Sequence, residues 1–145
     1  MALKVPHASR LQHGAGRERF VREARHLAQL RHPSIVPIYD VSAESDGLVL
    51  ITEFLEGETL AESLRQRRLR PDQAAPLCIK LAEALHHAHE NGIVHRDVKP
   101  GNVMVDQGGN PFLMDFGLAK HESTDSTLSV EGQVLGTPAY VKRQR

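Results

Sequence analysis

Residues 95–102 of the chain read His-Arg-Asp-Val-Lys-Pro-Gly-Asn, and residues 115–117 read Asp-Phe-Gly. The first motif places a carboxylate, an amine and an amide within six residues, between a predicted helix and a predicted hairpin. The second motif lies at the mouth of that hairpin, 18 residues after Asp97. Asp97 and Asp115 can therefore face each other across a small site, which indicates chemistry rather than a plain connecting loop.

The elements on either side of the first motif follow from apolar spacing. A long helix is predicted between Asp72, its expected cap, and Asn91-Gly92, its expected stop, because one face is apolar: Leu77, Leu81, Leu85, Ala88. The hairpin is predicted from residues 103–105 and 112–114, around a turn at residues 107–110. The motif residues would then lie on a loop between two regular elements.

The upstream half alternates strand and helix patterns. Residues 1–5 resemble a strand, and a helix is predicted from about Arg17 to Leu30 because Phe20, Ala24 and Leu27 recur at helical spacing. Two antiparallel strands are expected at residues 35–41 and 48–54, and residues 56–58 are expected to break the pattern. Thr59 and Glu62 predict a capping box for a short helix.

Composition limits the function classes. The chain has 145 residues, of which 40% are hydrophobic and 25% charged, so we expect one soluble domain or part of one. Its formal net charge is zero, which offers no global attraction to nucleic acid or anionic lipid, and the arginine run at residues 65–70 lacks interleaved aromatics. We expect no nucleic-acid partner and no membrane segment in this chain. The single cysteine, Cys78, is expected to be a buried thiol, and the predicted location is cytoplasmic.

The two motifs resemble the catalytic loop and the magnesium-binding motif of protein kinases, in the order in which that family has them. Residues 2–4 resemble the end of the family's third strand with its phosphate-binding lysine, and Glu23 lies where the family has the partner glutamate of that lysine. Residues 136–140 resemble the substrate-side end of the activation segment. The resemblance spans nearly the whole chain.

An α+β, two-lobed protein-kinase-like fold is what this resemblance implies. Residues 1–145 would be a partial catalytic domain, with residues 1–52 in the upper lobe, 53–57 as the hinge, and 58–145 in the lower lobe with the catalytic loop and activation segment. No glycine-rich strand pair precedes Lys4 and no late lower-lobe helices follow Tyr140, so the fold is expected to be incomplete at both ends. Apolar surface that those parts cover in the family should be exposed.

The resemblance implies transfer of the γ-phosphoryl group of ATP to serine or threonine hydroxyls of proteins. Asp97 would accept or orient the substrate hydroxyl, and Lys99 resembles a lysine that favours serine and threonine over tyrosine substrates. Asn102 and Asp115 would hold Mg²⁺, a cation that prefers oxygen ligands. Cationic groups suit this reaction because its transition state spreads negative charge over the phosphate oxygens.

The resemblance implies that residues of both lobes and of the hinge bind the nucleotide. Lys4 would contact the phosphates, and an ion pair with Glu23 would position it. Adenine would contact the backbone of the hinge and apolar groups above and below it: Glu53, Leu55, Ala2, Met104. For Ala2 and Met104, ordinary core packing is the alternative interpretation.

Regulation is predicted at the activation segment. Arg96, directly before Asp97, is typical of kinases in which a phosphate on this segment pairs with a basic pocket. Four hydroxyl residues are candidate phosphorylation sites, and a polar, flexible loop is the alternative: Thr124, Ser126, Thr127, Ser129. Thr137 resembles the threonine that contacts the catalytic aspartate in serine/threonine kinases.

Two alternatives to an active kinase remain open. The missing glycine-rich lid favours a non-catalytic nucleotide-binding or interaction fragment, whereas the presence of Lys4, Asp97 and Asp115 together argues against gradual loss of activity. The other alternative is a gene-model error, which an upstream start codon followed by a glycine-rich strand pair would reveal.

Overall fold

A computed structural model describes residues 1–5, 14–44 and 47–116 of the chain. Within these residues the first sheet has three antiparallel strands in the order β1-β3-β2, formed by Ala2–Lys4 (β1), Ile38–Glu44 (β2) and Gly47–Thr52 (β3). Helix α1, Gly14–Leu27, packs on β2. Its predicted apolar residues Phe20 and Ala24 are buried with Val41 and Leu50 in a small core.

The second sheet follows in the chain. Its strands are Gly57–Thr59 (β4), Val103–Asp106 (β5) and Pro111–Leu113 (β6), and they pair antiparallel in that order. Helices α2, Leu60–Gln66, and α3, Pro71–Glu90, lie between β4 and β5 in sequence. A 3-10 turn at Pro100–Asn102 leads directly into β5. The loop of residues 91–99 therefore joins the end of α3 to the start of the hairpin.

One larger core connects the two halves. Leu27 and Leu30, at and beyond the end of α1, are buried against α3 and the second sheet, and Ile38 of β2 packs against both cores. Ile35 forms an isolated parallel bridge with Leu113, which is fully buried. The segment between α1 and β2 is thus held on β6, two residues before Asp115.

The helices and strands predicted from the sequence are present, but several of their boundaries differ. Helix α1 begins and ends three residues earlier than expected, and β2 begins at Ile38 because Pro37 has no N–H to donate to a ladder. The capping box is confirmed: Thr59 N donates to a Glu62 carboxylate oxygen at 2.9 Å, and Glu62 N donates to Thr59 Oγ1 at 3.2 Å.

Three expectations about this region were wrong. Arg70, not Asp72, is the N-cap of α3, because Pro71 suits the first helical position and the Asp72 carboxylate pairs with the Arg70 guanidinium. Residues 57–59 form β4 instead of breaking the pattern. Cys78 is exposed because it lies beside the apolar face of α3 and not within it.

Several apolar side chains of the second half are exposed: Ile79 on α3 and Val94 are more than half exposed, and Val98 is nearly so. No helix in the described ranges is both long enough and apolar enough to cross a lipid bilayer.

Candidate active site

The two motifs meet between the end of α3 and the end of β6. Asp97, Lys99 and Asn102 lie on the loop and 3-10 turn before β5, and Asp115 lies two residues after β6. The hydrogen bond from Met114 N to Asn102 O, 3.0 Å long, brings the two segments together. The hairpin β5–β6 therefore folds back so that residues separated in sequence form one site.

The buried ring of His95 connects the two motifs. It is 1% exposed, its ring contacts Phe116 at 4.5 Å between centroids, and its Nδ1 accepts a 3.3 Å hydrogen bond from Asp97 N. Since Nδ1 accepts, Nε2 carries the proton and donates to Met114 O at 3.0 Å. The two hydrogen bonds of His95 could not be predicted, because sequence spacing does not show ring orientation.

Asp97 is held in a polar pocket. Its carboxylate forms a 2.8 Å ion pair with Lys99 and accepts a 3.1 Å hydrogen bond from Asn102 Nδ2. Asn102 Nδ2 also donates to Asp97 O at 2.8 Å, so the amide orientation is defined by two acceptors. The Asp97 side chain is only 11% exposed, and these contacts hold its carboxylate in position.

Two residues of the site have left-handed backbone conformations. Arg96 has φ 61° and Asp115 has φ 60°, and they are the non-glycine residues of the described ranges with positive φ. Such conformations cost roughly 1–3 kcal/mol each and persist where surrounding contacts hold them. Here the contacts are the hydrogen bonds of His95 to Asp97 and Met114. The strained positions are therefore one residue in each motif, Arg96 directly before Asp97 and Asp115 itself.

Lys4 reaches this site from the first sheet. It lies on β1 opposite Leu50 of β3, and its Nζ forms an ion pair with Asp115 Oδ1. Glu23 lies on α1 and is partly buried. The structure thus brings Lys4 to the second motif, whereas the pairing of Lys4 with Glu23 stays a prediction.

The predicted adenine contacts lie on both sheets and on the segment that connects them. Ala2 pairs with Thr52 across β1 and β3, and Met104 lies on β5 between Thr59 and Phe112. Glu53 N donates to Pro37 O, and Leu55 follows in the extended segment between β3 and β4. Ala2, Met104, Glu53 and Leu55 are all partly buried. Nucleotide contact by these four residues stays a prediction.

The regulatory predictions are only partly within the described ranges. Arg96 is exposed beside Asp97, where its guanidinium is accessible from solvent. The remaining candidates lie outside the described residues: Thr124, Ser126, Thr127, Ser129, Thr137.

The donor set at Asp115 fits Mg²⁺. Among the described residues no group of three or more histidine, cysteine, aspartate or glutamate side chains is placed to hold a metal. Mg²⁺ does not require such a cage, because one or two carboxylate or amide oxygens suffice when water and phosphate oxygens complete its shell. The side-chain amide nitrogen of Asn102 donates its hydrogen bonds to Asp97. The amide oxygen of Asn102 is therefore left to act as a metal ligand, on a residue whose backbone bonds Met114 next to Asp115.

A pH dependence follows from His95. Burial lowers the pKa of His95 below its ordinary value, against the opposing effect of its bond to Met114 O. The unfolded chain therefore takes up a proton below pH of about 6.5 that the folded chain does not, and stability is lost as the pH falls through that value. We expect His95→Gln, which can keep one donor and one acceptor, to flatten the decline of unfolding free energy between pH 7 and pH 5.5 by up to about 1.4 kcal/mol per pH unit.

Urea titrations at several pH values measure this effect. Burial also lowers the pKa of His32. His32 is present in both the wild type and His95→Gln, so its contribution to the pH dependence of stability cancels in the comparison. Parallel pH profiles for the wild type and His95→Gln would contradict the assignment of His95 as a neutral, doubly bonded ring.

Comparison with known proteins gives the family. The model of the protein kinase domain matches residues 1–142. This chain belongs to the protein kinase domain family. It is 40% identical over 150 residues to the serine/threonine-protein kinase pkn2 of Myxococcus xanthus, covering 100% of this chain and 18% of the relative.

Solved kinase structures show the same fold. The PknI kinase domain of Mycobacterium tuberculosis has a TM-score of 0.68 and 32% identity, and the match covers 81% of this chain and 49% of that one. Rad53 in complex with AMP-PNP has a TM-score of 0.67 and 27% identity, with 70% of this chain and 28% of that one covered. The fold is therefore the expected α+β protein-kinase fold. The chain spans about a fifth of the length of the curated relatives it matches.

Proposed function

We propose that this kinase chain takes part in transferring the γ-phosphoryl group of ATP to serine or threonine hydroxyls of proteins. The observation that carries the proposal is the convergence of Asp97, Lys99, Asn102 and Asp115 on one site that Lys4 enters from the first sheet. Bound Mg²⁺ would neutralise charge on the phosphates. Asn102 and Asp115 would hold it.

The side chains suit distinct tasks in this reaction. Asp97, held by Lys99 and Asn102, can accept a hydrogen bond from a substrate hydroxyl and fix its direction of attack. Lys99 can exchange its partner from Asp97 to the transferred phosphoryl group as negative charge develops there. Lys4 can bind the phosphates that remain on the nucleotide. The two lysines therefore supply charge where the reaction produces it.

The proposed domain division follows the two sheets. Residues 1–52 would form the upper-lobe part, residues 53–57 the hinge, and residues 58–145 the lower-lobe part. The extended segment between β3 and β4 lies between the sheets and exposes Phe54, which supports its assignment as a hinge. The nucleotide would lie against this segment; the structurally similar Rad53 was solved in complex with AMP-PNP.

The proposed partners are ATP and proteins with accessible serine or threonine, and we propose a cytoplasmic location. One cysteine, exposed on α3, leaves no disulfide within the chain, which agrees with a reducing compartment. The serine/threonine preference rests on Lys99 and on the names of the bacterial relatives.

Calorimetric binding of MgATP tests the proposal. We expect saturable binding by the wild type and a loss of affinity of at least about tenfold for Asp115→Asn, because the metal loses a charged ligand. Asp72→Asn is the matched control, since it makes the same chemical change at an exposed residue outside the site.

The possible results separate the two candidate functions. Equal MgATP affinity in the wild type and Asp115→Asn would contradict the assignment of Asp115 as a ligand of the nucleotide-bound metal. MgATP binding without phosphotransfer to a generic protein would favour the non-catalytic nucleotide-binding alternative.

A further inference from the structure

We propose that His32 and His87 form a proton-sensitive joint, which holds residues 32–36 on α3 and β6 while the rings are neutral and opens when they are protonated. The observation behind the proposal is the contact of the two rings, whose centroids are 5.4 Å apart with a tilt of 31°. His32 belongs to the segment between α1 and β2, and His87 lies in the last turn of α3. The pair therefore links the first half of the chain to the helix that leads into the loop of residues 91–99.

The hydrogen bond of His32 requires a neutral ring. Its Nδ1 accepts from Ser34 N at 3.1 Å, so the proton of the neutral ring is on Nε2. Protonation of Nδ1 places two donors face to face and breaks this bond. Ser34 is 5% exposed, so its N–H has little access to water while the segment keeps its position. The segment should therefore move when His32 gains a proton.

Ser34 carries the effect to the second sheet. Its carbonyl oxygen accepts from Leu113 N at 2.8 Å, and Val36 N donates to Leu113 O at 2.9 Å. Leu113 is the last residue of β6, and Asp115 follows two positions later. Opening of the joint thus releases the first half of the chain from β6 directly beside the second motif.

Charges around the pair determine the direction of the pH dependence. Burial lowers the pKa of His32 below its ordinary value, charge on His87 lowers it further, and the Glu83 carboxylate, one turn from His87 on α3, opposes both effects. β6 carries no titratable side chain. The segment itself and the last turn of α1 carry three further charged or titratable groups, of which the first bonds backbone carbonyls beyond α1: Arg31, Arg25, His26. The open joint therefore takes up a proton below pH of about 6.5 that the closed joint excludes, and the closed form is lost as the pH falls.

Amide hydrogen exchange tests the opening residue by residue. We expect the protection factors of Ser34, Val36 and Leu113, corrected for the intrinsic rate at each pH, to fall at least about threefold more between pH 7 and pH 5.5 in the wild type than in His32→Asn. Asparagine is the matched replacement, because its side-chain oxygen can accept from the N–H two residues further on without titrating. His95 is present in both proteins, so its contribution cancels.

Two results of this experiment would overturn the proposal. The first is the same pH profile of protection in the wild type and His32→Asn. The second is an equal loss of protection in the central strand β3, which would mean that protonation unfolds the chain as a whole and does not open a joint.

The coupling between the rings is tested by His87→Phe, which keeps an aromatic ring and removes the charge. In an NMR titration of the histidine rings, the midpoint of His32 should move to higher pH, because a charged His87 no longer repels the proton. An unchanged or lower midpoint would contradict the pairing. His86→Phe is the matched control at the neighbouring position, where the ring is exposed and lies 3.5 Å from the Glu90 carboxylate, and it should leave the midpoint unchanged.

The consequence for the active site rests on the proposed function. We expect acid pH to weaken MgATP binding more in the wild type than in His32→Asn, because the open joint no longer holds β6 beside Asp115. Equal weakening in the two proteins would contradict this consequence. Hydrogen exchange requires no nucleotide, so a wild type that fails to bind MgATP would defeat the proposed function, while the exchange experiment would still decide the joint.

Discussion

Asp97→Asn should lower the rate of phosphotransfer by about 10²- to 10⁴-fold while MgATP affinity stays within a few-fold of the wild type. The amide keeps the size of the carboxylate and can still contact Asn102 and Lys99, so the loop has no steric reason to move. It cannot accept a proton or orient a hydroxyl as a carboxylate does. The loss should therefore fall on the chemical step and not on nucleotide binding.

Initial rates of phosphate incorporation into a generic protein, together with MgATP calorimetry, measure the two effects separately. Asp72→Asn again provides the same substitution on the surface and should leave both quantities unchanged. Phosphotransfer by Asp97→Asn within about threefold of the wild type would remove Asp97 from the proposed chemistry. Equal losses of rate and nucleotide affinity would instead indicate that the variant disturbs the site as a whole.

Leu113→Ala should lower the free energy of unfolding by about 2–5 kcal/mol. Leu113 is fully buried in the larger core, and truncation leaves a cavity where residues from both halves of the chain meet. Its backbone also donates to Ser34 O at 2.8 Å and accepts from Val36 N at 2.9 Å. The substitution therefore weakens the packing at the point where the first half of the chain is held on β6.

Urea or thermal unfolding followed by circular dichroism measures the loss, and Leu3→Ala is the matched control. Leu3 is 70% exposed on β1, so its truncation should change stability by no more than about 0.5 kcal/mol. Similar losses for the two variants would mean that the larger core does not hold the halves together. Because Asp115 lies two residues beyond Leu113, weaker MgATP binding by Leu113→Ala is expected as well.

Much of the local structure was predictable. The period of Leu77, Leu81 and Leu85 indicated α3, and Thr59 with Glu62 indicated the start of α2. These signals depend on residues three or four positions apart, whose geometry a helix fixes by itself. The hairpin β5–β6 is similarly local, since its turn joins adjacent strands.

The errors arose where an outcome depends on distant partners. Three residues with a glycine carry little strand signal, but β4 forms because β5 supplies its hydrogen-bond ladder. Gly57 lies opposite Asp106, which is 49 residues further along the chain. Cys78 has apolar neighbours in sequence, yet its burial depends on what packs beside α3. Neither fact is contained in the local spacing.

The sequence by itself determined which chemical groups the site contains and their order: Asp97, Lys99, Asn102 and Asp115 on either side of one hairpin. Tertiary structure alone decided that Lys4 pairs with Asp115, that His95 bonds both motifs, and that Ile35 pairs with Leu113. The physical reason is the range of the interactions. Turns, caps and helix faces depend on neighbours a few residues away. The contact between Lys4 and Asp115 spans 111 residues, so it forms only after both cores have packed and brought the two ends of that loop of chain together.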